Sequence, residues 1–188
     1  MSIDRERIVL DTITKSDLEQ LRCWRNDPEL RRYFREYREI SETMQERWYE
    51  KISLGDDKSE VHFAIRERVS QRGVTVFETS PQMMLVGHCC LTKIDFRNRH
   101  AEFGIYIGPK ERRGQGLGTD ALCALVDYGF DELNLNKIWC EVYSNNSAIS
   151  AYERVGFARE GILRQQQWCE GAWLDSTIMS LLASERKR

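Results

Sequence analysis

Residues 101–130 read AEFGIYIGPKERRGQGLGTDALCALVDYGF, a strand, a glycine-rich turn and an amphipathic helix in immediate succession. Ile105, Tyr106 and Ile107 are β-formers bounded by Gly108-Pro109, and Leu122, Leu125, Val126, Phe130 and Leu133 recur downstream at helical spacing. Between them Gly114, Gly116 and Gly118 lack the Cβ that keeps a ligand away from the backbone, so N–H groups opening the helix can approach an anion closely. The pattern predicts a pyrophosphate cradle with Arg113 as a forked charge at its mouth.

Spacing separates three glycine-loop chemistries. A phosphate loop of the G-x-x-x-x-G-K-[ST] kind needs a lysine after its last glycine, but Gly118 is followed by Thr119. A dinucleotide fingerprint counted from Gly114 places Thr119 where its third glycine belongs. The third pattern, Arg/Gln-x-x-Gly-x-Gly/Ala, fits Arg113-Gly114-Gln115-Gly116-Leu117-Gly118. A second block follows one helix later, KIWCEVYSNNSAISAYERVGF at 137–157. Ile138, Cys140 and Val142 alternate there with Trp139, Glu141 and Tyr143, as in a strand with two different faces. Helix formers from Ser147 to Val155 then stop at Gly156, with Phe157 starting the next strand. Together the two blocks resemble the GNAT superfamily of N-acetyltransferases, in which an asparagine stands seven positions before a tyrosine and Gly-Phe follows, as Asn145, Tyr152 and Gly156-Phe157 do here. Trp24-Arg25-Asn26-Asp27-Pro28-Glu29-Leu30 and residues 156–175 resemble its ribosomal-protein N-terminal acetyltransferase (RimJ/RimL-like) branch, a pattern shared with spermidine and amino-sugar acetyltransferases.

The resemblance implies a single α/β domain over residues 1–188: a mixed, mostly antiparallel sheet of six to seven strands with a splayed parallel pair, flanked by helices. Acetyl-CoA would enter the wedge between the splayed strands. Its pantetheine would lie along Ile105, Tyr106 and Ile107 and near Asn145, and its pyrophosphate against Arg112, Arg113, Gly114, Gln115, Gly116, Leu117, Gly118 and Thr119. The implied reaction is direct attack of a neutral amine on the thioester, without an acyl-enzyme. Tyr152 would contact the cofactor and protonate the departing sulfur, since a phenol with a pKa of about 10 carries its proton at neutral pH; the alternative is that it only packs its helix on the sheet. Glu102 and Glu141 are the candidate general bases, with Glu102 ranked ahead; either could instead be a strand carboxylate paired with an arginine. The acceptor would be a small-molecule or peptide amine, a protein N-terminus or an amino sugar, with a polyamine or a non-catalytic acyl-CoA-binding module as alternatives.

Arg22, Arg25, Arg31, Arg32, Arg35 and Arg38 crowd the segment expected to meet the acceptor, and Arg35, Tyr37 and Trp168 are the candidate substrate contacts. A polycation would be repelled there and an anionic carrier attracted, unless these arginines only form a solvated face. The remaining chain supports one compact enzyme domain: 188 residues, 41% hydrophobic, formal net charge −2, with no global basic field for nucleic acid. Six cysteines show no metal spacing and read as reduced core residues; His62, His88 and His100 share no metal spacing, and no metal is expected. The charged start and the lack of a long apolar run suggest a cytoplasmic protein without membrane spans, and a homodimer is open to it. Upstream, the composition predicts a strand at Ile8–Leu10, a helix opened by a capping box at Ser16–Glu19, a short helix after Asp27-Pro28, a helix over Glu42–Ile52, strands at Val61–Arg68 and Met83–Asp95 joined by a long loop, and a solvated tail at Glu185–Arg188.

Overall fold

The computed structural model describes residues 3–69 and 82–186; the loop expected between the two central strands lies outside the described residues. The strands are β1 (Ile3–Asp4), β2 (Ile8–Asp11), β3 (Val61–Val69), β4 (Gln82–Asp95), β5 (His100–Ile107), β6 (Lys137–Tyr143), β7 (Ala158–Cys169) and β8 (Ala172–Leu182). They form one sheet of eight strands in the order β1-β2-β3-β4-β5-β6-β8-β7. Every neighbouring pair is antiparallel except β5–β6. The count exceeds the six to seven expected because Ile3–Asp4 pairs with Val9–Leu10 as a two-residue edge strand, which the charged N-terminal composition does not advertise.

Five helices cover the sheet: α1 (Leu18–Asn26), α2 (Pro28–Arg31), α3 (Glu42–Leu54), α4 (Leu117–Asp127) and α5 (Ala148–Val155). Helices α4 and α5 lie on one face, where Leu122, Leu125 and Ile149 pack with Ile65, Leu91, Ile138 and Met179. On the other face Leu21, Trp24 and Leu30 from α1 and α2 cluster with Ala64, and Trp48 and Tyr106 pack against them. Alternation along β5 and β6 therefore splits their side chains: Phe103, Ile105, Ile138, Cys140 and Val142 belong to the α4 side, and Tyr106 to the α1–α3 side. Beyond α4 the apolar periodicity runs on through a π-turn at Tyr128–Glu132, which carries Phe130 into the core.

The start of α1 differs from the expected Ser16–Glu19 box. Asp17, two residues earlier than Glu19, accepts from the Thr14 N–H and hydroxyl, both at 2.8 Å, while Glu19 is held by Arg22 at 2.9 Å. Asp17 wins because it is buried and can also pair with Arg66 on β3, at 2.8 and 3.2 Å, tying the helix to the sheet. Elsewhere, Asp27 caps α2 through the Glu29 N–H, and Ser41 caps α3 through the Met44 N–H. Within the expected tail, Arg186 is not free in solvent, since it pairs with Asp127 and Asp131 at 3.2 and 2.7 Å; residues 187 and 188 lie outside the described residues. The cysteines are free, but only Cys89 and Cys140 are fully buried and Cys23 is exposed, so the expected core assignment holds for part of the set. Among the described residues no helix is long and apolar enough to cross a membrane.

The Asp17–Arg66 pair carries a pH signature. Burial alone would raise the Asp17 carboxyl, but the bonds from Arg66 and Thr14 outweigh it and hold the native value below the usual aspartate range. A depressed native pKa adds stability above the unfolded value of about 3.9 and loses it as pH falls through the native value. Asp17→Asn should therefore cost about 3 kcal/mol in urea denaturation at pH 7, and the gap from wild type should narrow at pH 3.5; equal stabilities at pH 7 would contradict the role of the pair.

Candidate active site

The parallel pair β5–β6 is joined only at His100–Lys137, Ala101–Ile138 and Glu102–Trp139. Beyond those pairs the strands diverge, so the facing edges of Phe103–Ile107 and Cys140–Tyr143 present unpaired backbone to the wedge between them. A cavity of about 700 Å³ opens there, lined by Ile105, Tyr106, Ile107, Cys140, Glu141 and Tyr152 among others. Its size suits a ligand with an extended arm.

At one end lies the glycine turn. Gly114 and Gly116 take positive φ, 73° and 86°, and Gly116 is the N-cap of α4. Leu117, Gly118 and Thr119 form the first turn of α4, whose N–H groups have no intrahelical acceptor and are available to an anion. Gly114, Gly116, Gly118 and Thr119 line the cavity, together with Arg112 and Arg113; Gln115 and Leu117 do not. Arg113 acts as a staple and not as a free charge at the mouth. It donates to the Ile107 and Gly108 carbonyls at 3.2 and 2.5 Å and lies 3.6 Å from both Asp27 and Glu29. Arg112 faces Glu67 at 3.2 Å. A residue with no motif to betray it, Arg7, secures the turn from below: it donates to the Gln115 carbonyl at 2.9 Å and pairs with Asp120, the one acid in the first turn of α4, at 2.7 Å. This removes a like charge from the place where a phosphate would bind. The glycines, the free helix N-terminus and the diverging strands fit CoA.

Tyr152, on α5, lines the cavity, its ring edge-on to Phe103 at 5.0 Å. Burial pushes its phenol well above the ordinary value, so it holds its proton and can donate it. Asn146, one residue before the Ser147 N-cap of α5, accepts from the Ala148 N–H at 2.9 Å and lines the cavity; Asn145 is exposed and does not.

The two carboxylates on the opposite face of these strands differ. Glu102 is 1% exposed, pairs with Arg35, and meets Lys93 at 2.7 Å. A β-bulge at Lys93, φ 51°, breaks the β4–β5 register there and lays the ammonium near both Glu102 and the Trp139 ring. Glu102 is not on the cavity wall. Glu141 is; it accepts from Gln167 at 3.3 Å and stands 4.0 Å from Arg35.

Arg35 lines the cavity, but Tyr37 and Trp168 do not. Tyr37 is 78% exposed, with its carbonyl accepting from Arg31, and Trp168 packs edge-on to Trp173 at the β7–β8 tip. The crowded arginines are largely paired: Arg22 with Glu19, Arg32 with Glu170, Arg38 with Glu36, and Arg25 over the Phe34 ring. The cavity wall also contains His62, His88 and Cys90, which sequence spacing leaves apart and the antiparallel β3–β4 register sets together.

The chain matches the family model described as an acetyltransferase (GNAT) domain over residues 7–158. It is 29% identical over 183 residues to the uncharacterized N-acetyltransferase p20 of Bacillus licheniformis, covering 96% of this chain and 95% of that protein. It is 36% identical over 105 residues to a spermidine N(1)-acetyltransferase of Vibrio cholerae, covering 55% of this chain and 60% of that protein. The crystal structure of spermidine N-acetyltransferase from Vibrio cholerae in complex with CoA and spermine superposes with a TM-score of 0.82 at 28% identity, covering 96% of this chain and 98% of that one. With the wedge, the glycine turn and this family match in agreement, the chain belongs to the GNAT family and is an acetyl-CoA-dependent N-acetyltransferase.

Proposed function

We propose that the acceptor is a primary amine carried on a peptide N-terminus or an amino sugar, and that Tyr152 and Glu141 serve the transfer from opposite sides of the wedge. The observation that carries this reading is that one cavity has both side chains on its wall, together with the glycine turn and the unpaired edge of Ile105–Ile107. As the amine nitrogen bonds to the acyl carbon and the carbon–sulfur bond breaks, the Tyr152 phenol gives its proton to the sulfur. Glu141 takes the proton of the amine through water. Free N–H groups on the β5 edge are placed to hold the pantetheine arm and the developing oxyanion. Glu102, paired with two cations and off the wall, becomes a positioning residue that fixes Arg35 beside Glu141.

Electrostatics favours a singly charged acceptor. The carboxylates on the wall already have partners: Glu141 has Gln167 and Arg35, Glu36 is bound by Arg38, which holds its carboxyl down at about 2, and Glu29 pairs with Lys110 at 2.7 Å. A polyamine would have to break several of these pairs, whereas a monoamine needs one carboxylate. A polyamine acceptor is the second reading, favoured by the neighbour that holds spermine. Self-association is a further proposal: Ile162, Leu163, Trp168 and Trp173 are exposed on the β7–β8 arm and would be covered in a dimer, which sedimentation would detect.

Thiol release from acetyl-CoA should be fastest with short peptides bearing free N-termini or with nucleotide-linked amino sugars. A larger kcat/KM for spermidine would replace the acceptor assignment, and saturable acetyl-CoA binding without thiol release from any amine would favour a non-catalytic module. Tyr152→Phe should lower kcat about 100-fold while the KM for acetyl-CoA stays near wild type; an unchanged kcat would reduce Tyr152 to packing. Glu141→Gln should remove the acidic limb of the pH–rate profile, while Glu102→Gln should keep that limb and lower the melting temperature. The reverse pattern would make Glu102 the base.

A further inference from the structure

On the acceptor side of the cavity His62 on β3 lies directly opposite Cys90 on β4, with His88 two residues before Cys90 on the same face. The His62 Nδ1 and His88 Nε2 atoms are 3.1 Å apart, and a ring nitrogen from each histidine and the Cys90 Sγ all lie within 4.8 Å of one another. From these positions we infer that His62, His88 and Cys90 form a binding site for a borderline-soft divalent cation of the Zn(II) class. Two nitrogens bound to one tetrahedral ion at about 2.0 Å stand roughly 3.3 Å apart, close to the spacing these rings already have. Imidazole and thiolate together select zinc over magnesium or calcium.

The surroundings support the ligand set. The His62 Nε2 faces the Glu60 carboxylate at 3.3 Å, the partner that orients a metal-bound imidazole and raises its basicity. Trp48 packs edge-on against both rings, at 5.3 and 5.8 Å, and fixes their planes. The 3.1 Å contact between the two ring nitrogens is a hydrogen bond in the free protein, and the ion would take its place. Cys90 would bind as the thiolate, its proton passing to water, and the ion would supply the charge that makes the thiolate tolerable in a buried setting. Three protein ligands leave a fourth position toward the cavity, where an ion would obstruct an incoming amine. The inference concerns binding and does not rest on the proposed acceptor.

Co(II) is the probe, because thiolate coordination gives an intense near-ultraviolet charge-transfer band and tetrahedral geometry gives visible bands. Titration of the full chain should reach one Co(II) per chain with both sets of bands, and Zn(II) should displace it. Cys90→Ser should abolish the near-ultraviolet band, and His62→Gln and His88→Gln should each weaken binding at least tenfold. Acetyl-CoA affinity, measured in the same preparations, should stay near wild type and shows that each variant is folded. A variant that fails this check is replaced by His62→Ala or Cys90→Ala at the same position. Absence of the thiolate band in wild type, or binding unchanged in folded His62 and His88 variants, would overturn the site. With stoichiometric binding, Zn(II) should also slow thiol release reversibly, with chelation restoring the rate.

Discussion

The whole active site depends on two parallel strands that stop pairing. Beyond Glu102–Trp139 the inner edges of β5 and β6 have no strand partner, although each remains fully paired on its outer side, β5 to β4 and β6 to β8. A buried backbone group left without a partner costs about 1–3 kcal/mol, so a gap of this kind persists only where water or a ligand completes the ladder. The outer pairings hold the strands rigid while they diverge. Packing from both sides keeps the gap open: Phe103 is wedged between Tyr152 and Phe157 on one side, and the Tyr143 hydroxyl reaches the Phe34 carbonyl at 3.3 Å on the other.

The alternation of strand side chains then divides the labour. On the α4 side the wedge is apolar apart from Tyr152, whose raised pKa follows from that burial. On the α1–α3 side it carries Glu141, Arg35 and the histidine pair, with Glu102 beneath them. In the proposed mechanism, proton donation and proton acceptance are thus separated by the sheet itself. Arg35 stands beside Glu141, and the second cation on Glu102 comes from one irregularity, the bulge at Lys93, without which the ammonium would point away from Glu102.

Much of this was legible in the residues because local chemistry dictates it. The glycine turn, the cap at Asp27, the left-handed Gly156, φ 116°, and the two-faced strand at 137–143 each follow from the backbone preferences of the residues involved. What was not legible depends on register. Arg7 and Asp120 are 113 positions apart and meet only because α4 packs against β2. His62, His88 and Cys90 converge only when β3 and β4 pair in one particular alignment, and the inward placement of Asn146 in place of Asn145 turns on a single side-chain hydrogen bond. The charge crowding between Arg22 and Arg38 misleads for the same reason. Composition counts cations, but Glu170 in the β7–β8 turn and Glu102 on β5, which neutralise two of them, are distant in sequence.

That neutralisation bears on how an amine could be recognised. An acceptor entering as its ammonium must lose a proton before it attacks, and a trough of unpaired carboxylates would hold it charged and so oppose the reaction. Here Glu29, Glu36 and Glu141 on the wall each already have a cation or an amide beside them, so the local field does little to stabilise the ammonium. Arg35 makes the point most directly. Its guanidinium is shared between Glu102 and Glu141, so the Glu141 carboxylate is flanked by Arg35 on one oxygen and by Gln167 on the other. On the proposed reading, the acceptor is recognised by its low charge together with whatever the rest of the amine-bearing molecule can bury against Phe34, Trp48 and Tyr143.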